Sequence, residues 1–182
     1  MLDILIVVDM QNDFVDGSLG TPEARRIVAP VAARIDEANR RGAAVYFTLD
    51  THPHGYLESA EGRALPVEHC LRGTRGHDLV PDIAARAEGA LLFEKPTFGS
   101  TKLADELAGV ARRERTTRGA GMRIELCGLC TDICVVSNAL VIKARLPEAQ
   151  LFVQSRLCAG STPDRHRAAL DVLRSCQVQV ID

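Results

Sequence analysis

Ile124-Glu125-Leu126-Cys127-Gly128-Leu129-Cys130-Thr131-Asp132-Ile133-Cys134 carries a short apolar run directly into a Cys-x-x-x-Cys segment and a longer amphipathic stretch. The first part has the length and residue types of a buried strand, and the periodic stretch behind it reads as a helix. The same alternation extends in both directions along the chain. Strands are expected at 3–8, 44–49, 90–94, 123–129, 150–154 and 177–181, and helices at 22–41, 79–87, 100–113, 132–144 and 163–175. Thr21-Pro22 and Thr162-Pro163 are helix starts, a capping hydroxyl followed by the residue suited to the first helical position. Pro30 is expected to kink or divide the first long helix, because it removes a backbone donor. Short apolar strands alternating with amphipathic helices specify a three-layer α/β/α fold, a six-stranded, mostly parallel sheet covered on both sides. No repeat or linker interrupts the 182 residues, and one domain over 1–182 is expected.

With 46% hydrophobic and 25% charged residues and a net charge of −2, the chain offers neither nucleic acid nor an anionic membrane an electrostatic attraction. The Arg-rich stretch 112–118 is read as a solvated helix end and loop. The opening apolar run, 4–8, is too short for a signal peptide, and no run approaches the ~20 apolar residues of a membrane span. The six cysteines do not form a disulfide framework, since a core of this size needs no covalent cross-links, and a reducing cytoplasm is expected.

In an open parallel sheet, ligands bind at the carboxyl ends of the strands. Four expected strands run into residues with chemistry: Asp9, Asp50, Lys95 and the segment leading to Cys134. Cys134 lies about one turn into a helix, where the dipole favours an anion and lowers a thiol pKa. Asp9 and Lys95 would supply a base and a cation to a nucleophilic thiol; the alternative is a small buried hydrophobe. Cys127, Cys130 and Cys134 are spaced like metal-cluster ligands, but Cys127 falls inside a strand and no fourth ligand follows. Asp50-Thr51-His52 is the better metal candidate, because side chains two apart on an extended segment point the same way. The polar segment 51–77, with four of the five histidines, is read as the wall of the site. His54, Glu58, Glu61 and His69 are further candidate ligands.

These residues stand in blocks, Ile6-Val7-Val8-Asp9-Met10-Gln11-Asn12-Asp13-Phe14, Asp50-Thr51-His52-Pro53, Leu65-Pro66-Val67-Glu68-His69-Cys70, Phe93-Glu94-Lys95-Pro96 and Gly128-Leu129-Cys130-Thr131-Asp132-Ile133-Cys134-Val135. In order and content they resemble the isochorismatase-like cysteine hydrolases, and among them the nicotinamidases. The resemblance implies a Rossmann-like fold and hydrolysis of nicotinamide to nicotinate and ammonia. It implies a catalytic triad of Asp9, Lys95 and Cys134, a cis peptide between Leu129 and Cys130, and an oxyanion hole from the Cys130 and Cys134 amides. It further implies a divalent metal, zinc with iron(II) or manganese(II) as alternatives, on Asp50, His52 and His69. Glu61 is taken as the fourth ligand and His54 as its competitor. Phe14 and Leu65 are expected to contact a small-molecule amide substrate, and a homo-oligomer is expected. Relatives often carry an aromatic after the metal Asp and a Trp before the later His; this chain has Thr51 and Leu65. A related hydrolase of another small amide, ureide or enol ether is the alternative.

Overall fold

The computed structural model describes residues 1–182. Strands β1 (Leu2–Val8), β2 (Ala44–Asp50), β3 (Leu91–Lys95), β4 (Met122–Leu129), β5 (Gln150–Ala159) and β6 (Gln179–Ile181) form one sheet in the order β3-β2-β1-β4-β5-β6. Every pairing is parallel. The central strand β1 is buried on both faces from Ile4 to Val8, as an unbroken aliphatic run in a doubly covered sheet requires. The strand order reverses direction at β1 and β4, so the crevice outside their carboxyl ends is where a ligand site belongs.

The long helices are α2 (Pro22–Arg40), α5 (Thr101–Arg113), α6 (Val136–Arg145) and α7 (Pro163–Ser175). Their starts are hydroxyl-capped where the sequence signals it: Thr21 Oγ1 accepts from the Ala24 amide at 3.0 Å, and Thr162 Oγ1 from the Arg165 amide at 3.2 Å. Pro30 does not divide α2. The buried stripe Ala24, Ile27, Val31, Ala32, Ile35 and Ala38 continues across it, so packing on both sides of the proline holds the halves in one helix.

Four further expectations shift. The helix at 79–87 shrinks to the single turn α4 (Pro81–Ala84). The short helices α1 (Asn12–Val15) and α3 (Ala60–Ala64), with a 3₁₀ turn at Tyr56–Glu58, occupy stretches with no helical signal. Strand β5 runs on past Gln154, because a register shift against β4 between Leu126 and Gly128 lets the polar residues bulge outward. The helix expected from 132 begins with a π-helical turn, Thr131–Val135, before α6. No helix is long and apolar enough to cross a membrane, and Arg112 and Arg113 lie exposed in the last turn of α5.

Gly128 sets how closely β4 and β1 approach near the crevice. Its φ is 114°, and a Cβ there would lie 2.1 Å from the Val8 carbonyl oxygen. Gly128→Ala is expected to cost about 3 kcal/mol through overpacking against rigid backbone, read as a lower urea midpoint with an unchanged slope.

Candidate active site and metal centre

Asp9 follows the last residue of β1, Asp50 ends β2, and Lys95 ends β3 with Asp50 as its register partner. Adjacent parallel strands thus bring three charges together at one end of the sheet. Lys95 Nζ lies 2.7 Å from Asp9 Oδ2, 3.3 Å from Asp50 Oδ1 and 3.3 Å from Cys134 Sγ. Asp9 and Lys95 are 0% and 1% exposed. Thr48 Oγ1 donates to Asp9 Oδ1 at 2.6 Å. Oδ2 meets the Lys95 ammonium in a fully buried ion pair.

Burial favours a neutral Lys95, but Asp9, Cys134 and Asp50 outweigh it and hold the ammonium charged. Burial is also the largest effect on Asp9, and it raises the carboxyl pKa despite Lys95. The thiol departs from expectation. Cys134 sits in the π-helical turn, and its pKa is pushed well above the usual value by burial first and by the Asp9 charge second. Water exclusion and a neighbouring anion outweigh the helix dipole and Lys95 here. Cys134 is therefore held as a thiol and Lys95 as an ammonium. Asn138 Nδ2 donates to the Cys134 carbonyl at 2.8 Å, and its Oδ1 accepts from the Ser100 amide at 2.9 Å, tying the turn to the start of α5. The Leu129-Cys130 peptide is cis.

On the other side of Lys95, Asp50, His52 and His69 place one ligand atom each within 4.8 Å of one another. His52 Nε2 is 3.0 Å and His69 Nε2 3.4 Å from Asp50 Oδ2. Glu61 Oε1 lies 3.8 Å from His52 Nε2 and 4.0 Å from His69 Nε2, whereas His54 is exposed. His69 Nδ1 is 2.8 Å from the Val67 carbonyl oxygen. A carbonyl only accepts, so Nδ1 carries the hydrogen, and Nε2 is the ring nitrogen turned toward Asp50. Lone pairs and carboxylate oxygens crowded in this way ask for a proton or a cation between them. The donors fit a divalent metal ion. Burial opposes the Asp50 charge, but the contacts from His52 and His69 hold its carboxyl below the ordinary range.

A cavity of about 730 Å³ opens onto both clusters; Cys130, Cys134, Asp50, Glu61 and His69 are in its walls, with Phe14 and Leu65. Its size is in the range for small-molecule sites. Sequence reading singled out neither Phe98, another wall residue, nor Tyr56, packed against His52 and His69 with ring centroids 4.6 and 4.9 Å apart. Gln11 was also overlooked. Its amide accepts from the Asp50 N–H and donates to the Asp50 carbonyl, both at 2.8 Å, and donates to the His77 carbonyl at 2.8 Å. Only its place two residues after Asp9 hinted at this. His77 Nε2 finds Thr51 Oγ1 at 2.9 Å, and His166 Nδ1 finds Thr131 Oγ1 at 2.8 Å.

Fold and site together define an α/β protein with a buried thiol–carboxylate–ammonium cluster beside a metal-binding set. The isochorismatase domain model matches residues 3–182, and the chain belongs to that family. The fold matches the crystal structure of nicotinamidase PncA from Bacillus subtilis over the whole of both chains, with a TM-score of 0.82 and 26% identity. The pyrazinamidase of Pyrococcus horikoshii, solved in complex with zinc, is 26% identical with a TM-score of 0.78, over 100% of this chain and 99% of that one. The nicotinamidase/pyrazinamidase of Mycobacterium tuberculosis is 26% identical over 184 residues, 97% of each chain.

Purified protein loaded with zinc is expected to retain one equivalent per chain. His69→Ala should weaken metal affinity by at least ~100-fold, since loss of even an outer-shell partner costs 10–100-fold. Competition with a chromophoric chelator measures it.

Proposed function

We propose that the chain is a metal-containing cysteine amidohydrolase that converts nicotinamide to nicotinate and ammonia. The observation that carries this reading is the placement of Lys95 Nζ within 3.3 Å of Cys134 Sγ and 2.7 Å of Asp9 Oδ2, with Cys134 in the wall of a cavity that Asp50, Glu61 and His69 also line. The likeness to nicotinamidases over whole chains supports the substrate. Asp50, His52 and His69, with Glu61 as the fourth ligand, would hold the metal. Zinc is our choice because of the zinc-bound relative; the imidazole and carboxylate donors also suit iron(II) and manganese(II). When bound, the metal supplies a Lewis acid for the pyridine nitrogen, with the carboxamide held toward Cys134.

Asp9 takes the thiol proton of Cys134, and Lys95 stabilises the thiolate. The raised Asp9 pKa makes it a better base than an ordinary aspartate. The thiolate attacks the carboxamide carbon, and the Cys130 and Cys134 amides receive the oxyanion; one such donor is typically worth about 3–4 kcal/mol. Protonated Asp9 passes its proton to the amide nitrogen, the C–N bond breaks, and ammonia leaves. Water then adds to the Cys134 thioester while Asp9 takes its proton. Collapse of that adduct releases nicotinate and returns the proton to the thiolate. Phe14, Leu65 and Phe98 enclose the acyl group and exclude bulk water.

A second reading, a related hydrolase of another small amide, ureide or enol ether, is favoured by Leu65 in the wall and by a chain without Trp. Ammonia release separates the two. The metal-replete protein is expected to release ammonia from nicotinamide and to lose that activity with chelator, and no release would refute the nicotinamidase reading. Cys134→Ala should lower kcat by at least ~10⁴-fold without lowering the melting temperature, as loss of a nucleophile does elsewhere. Asp9 must be ionised to accept the proton, so activity falls as pH drops through its pKa. Because that pKa is raised, the acid limb of kcat/KM should lie above pH 3.8, the ordinary aspartate value.

A further inference from the structure

The walls of the catalytic cavity include one strong cation, Arg165, which the proposed hydrolysis leaves without a task. It lies in the first turn of α7 and is exposed. No carboxylate lies within ion-pair distance of it; the nearby Asp164 is paired with Arg167 instead. Its Nη1 donates to Ser161 Oγ at 3.3 Å. Ser161 is itself fixed, since its amide and hydroxyl donate to Asp132 Oδ1 and Oδ2 at 2.8 and 2.6 Å.

Asp132 lies in the same turn as Cys134, and α7 packs on that turn. The Thr131–His166 contact is a second latch between the two. Gly160 keeps the approach tight: a Cβ there would lie 2.9 Å from Asp132 Oδ1 and 2.8 Å from the His166 amide nitrogen. Arg165 is therefore anchored to the segment that carries the nucleophile. Asp132, the nearest acid in this network, has both its oxygens engaged by Ser161.

The wall acids, Asp50 and Glu61, belong to the metal donors. The cavity, about 730 Å³, is also larger than a single-ring amide fills. We infer that Arg165 is a specificity-determining residue that binds a carboxylate on the acyl part of the substrate, so that the site prefers small amides bearing a second, anionic end. The guanidinium gives one donor to Ser161 and keeps others free, and a planar pair of these matches a carboxylate, whereas a phosphate dianion asks for more.

The inference rests on the hydrolase reading, and the test separates the two. The metal-replete enzyme is assayed for ammonia release from nicotinamide and from two matched pairs, butyramide with succinamate and benzamide with 3-carbamoylbenzoate. A charge-assisted contact at a partly solvated site corresponds to about tenfold. The charged member of at least one pair is expected to exceed its neutral partner by about that factor in kcat/KM, carried by KM. In Arg165→Met the charged-to-neutral ratio should fall to about one, and Arg165→Lys should restore part of it. Hydrolysis of nicotinamide with no preference in either pair overturns the Arg165 assignment and leaves the hydrolase reading standing. A preference that persists in Arg165→Met overturns it equally. No ammonia from any amide overturns both.

Discussion

An ammonium as deeply buried as that of Lys95 is tolerable only if opposite charge replaces the water it has lost. Asp9 and Asp50 do this from β1 and β2, neighbouring strands with β3 beside β2 at the edge of the sheet, and much of the site follows from that arrangement. The two carboxylates are drawn toward one nitrogen and so toward each other. Each then needs further compensation: Thr48 on Asp9, His52 and His69 on Asp50. The Cys134 thiol lies against the same nitrogen. One buried cation thereby links the thiol cluster to the metal donors, and a change of charge on either side is felt by the other through Lys95.

The segment between β2 and β3 turns this electrostatic arrangement into a shaped site. Gln11 closes both backbone groups of Asp50 and reaches the His77 carbonyl, so the start and the end of the segment are held by one amide. Tyr56 fills the space beside the two imidazoles and donates to the Leu65 carbonyl at 2.9 Å. The Asp13 carboxylate accepts from the Cys70 amide at 2.8 Å. The long connection is thus an ordered wall, held by polar contacts from the β1–α2 region as much as by apolar packing.

Much of this was legible in the residues. Apolar runs ending in Asp9, Asp50 and Lys95 marked the carboxyl ends of three strands, and the blocks around them marked the family. Less legible were features that depend on partners distant in the chain. Pro30 is a helix breaker by local rule, but a stripe of buried side chains on both sides keeps α2 whole. Gln154, Ser155 and Arg156 end a strand pattern locally, yet β4 gives β5 a partner beyond them. A thiol near a helix start suggests an acidic pKa, but complete burial beside Asp9 reverses the sign.

Strand–helix alternation and the identity of the ionisable residues were determined by the chain itself, because hydrophobic periodicity and backbone preference are local properties. Which residues meet was decided only in three dimensions. The strand order places β1 between β2 and β4, and that order brings residues 9, 50 and 134 within reach of the Lys95 nitrogen. Arg165 belongs to the same lesson: in sequence it is an ordinary surface arginine in a helix's first turn. It reaches the cavity because Asp132 and Ser161 pin that turn to the nucleophile's own segment. Distances between such groups depend on tertiary packing, and no periodicity in the sequence encodes them.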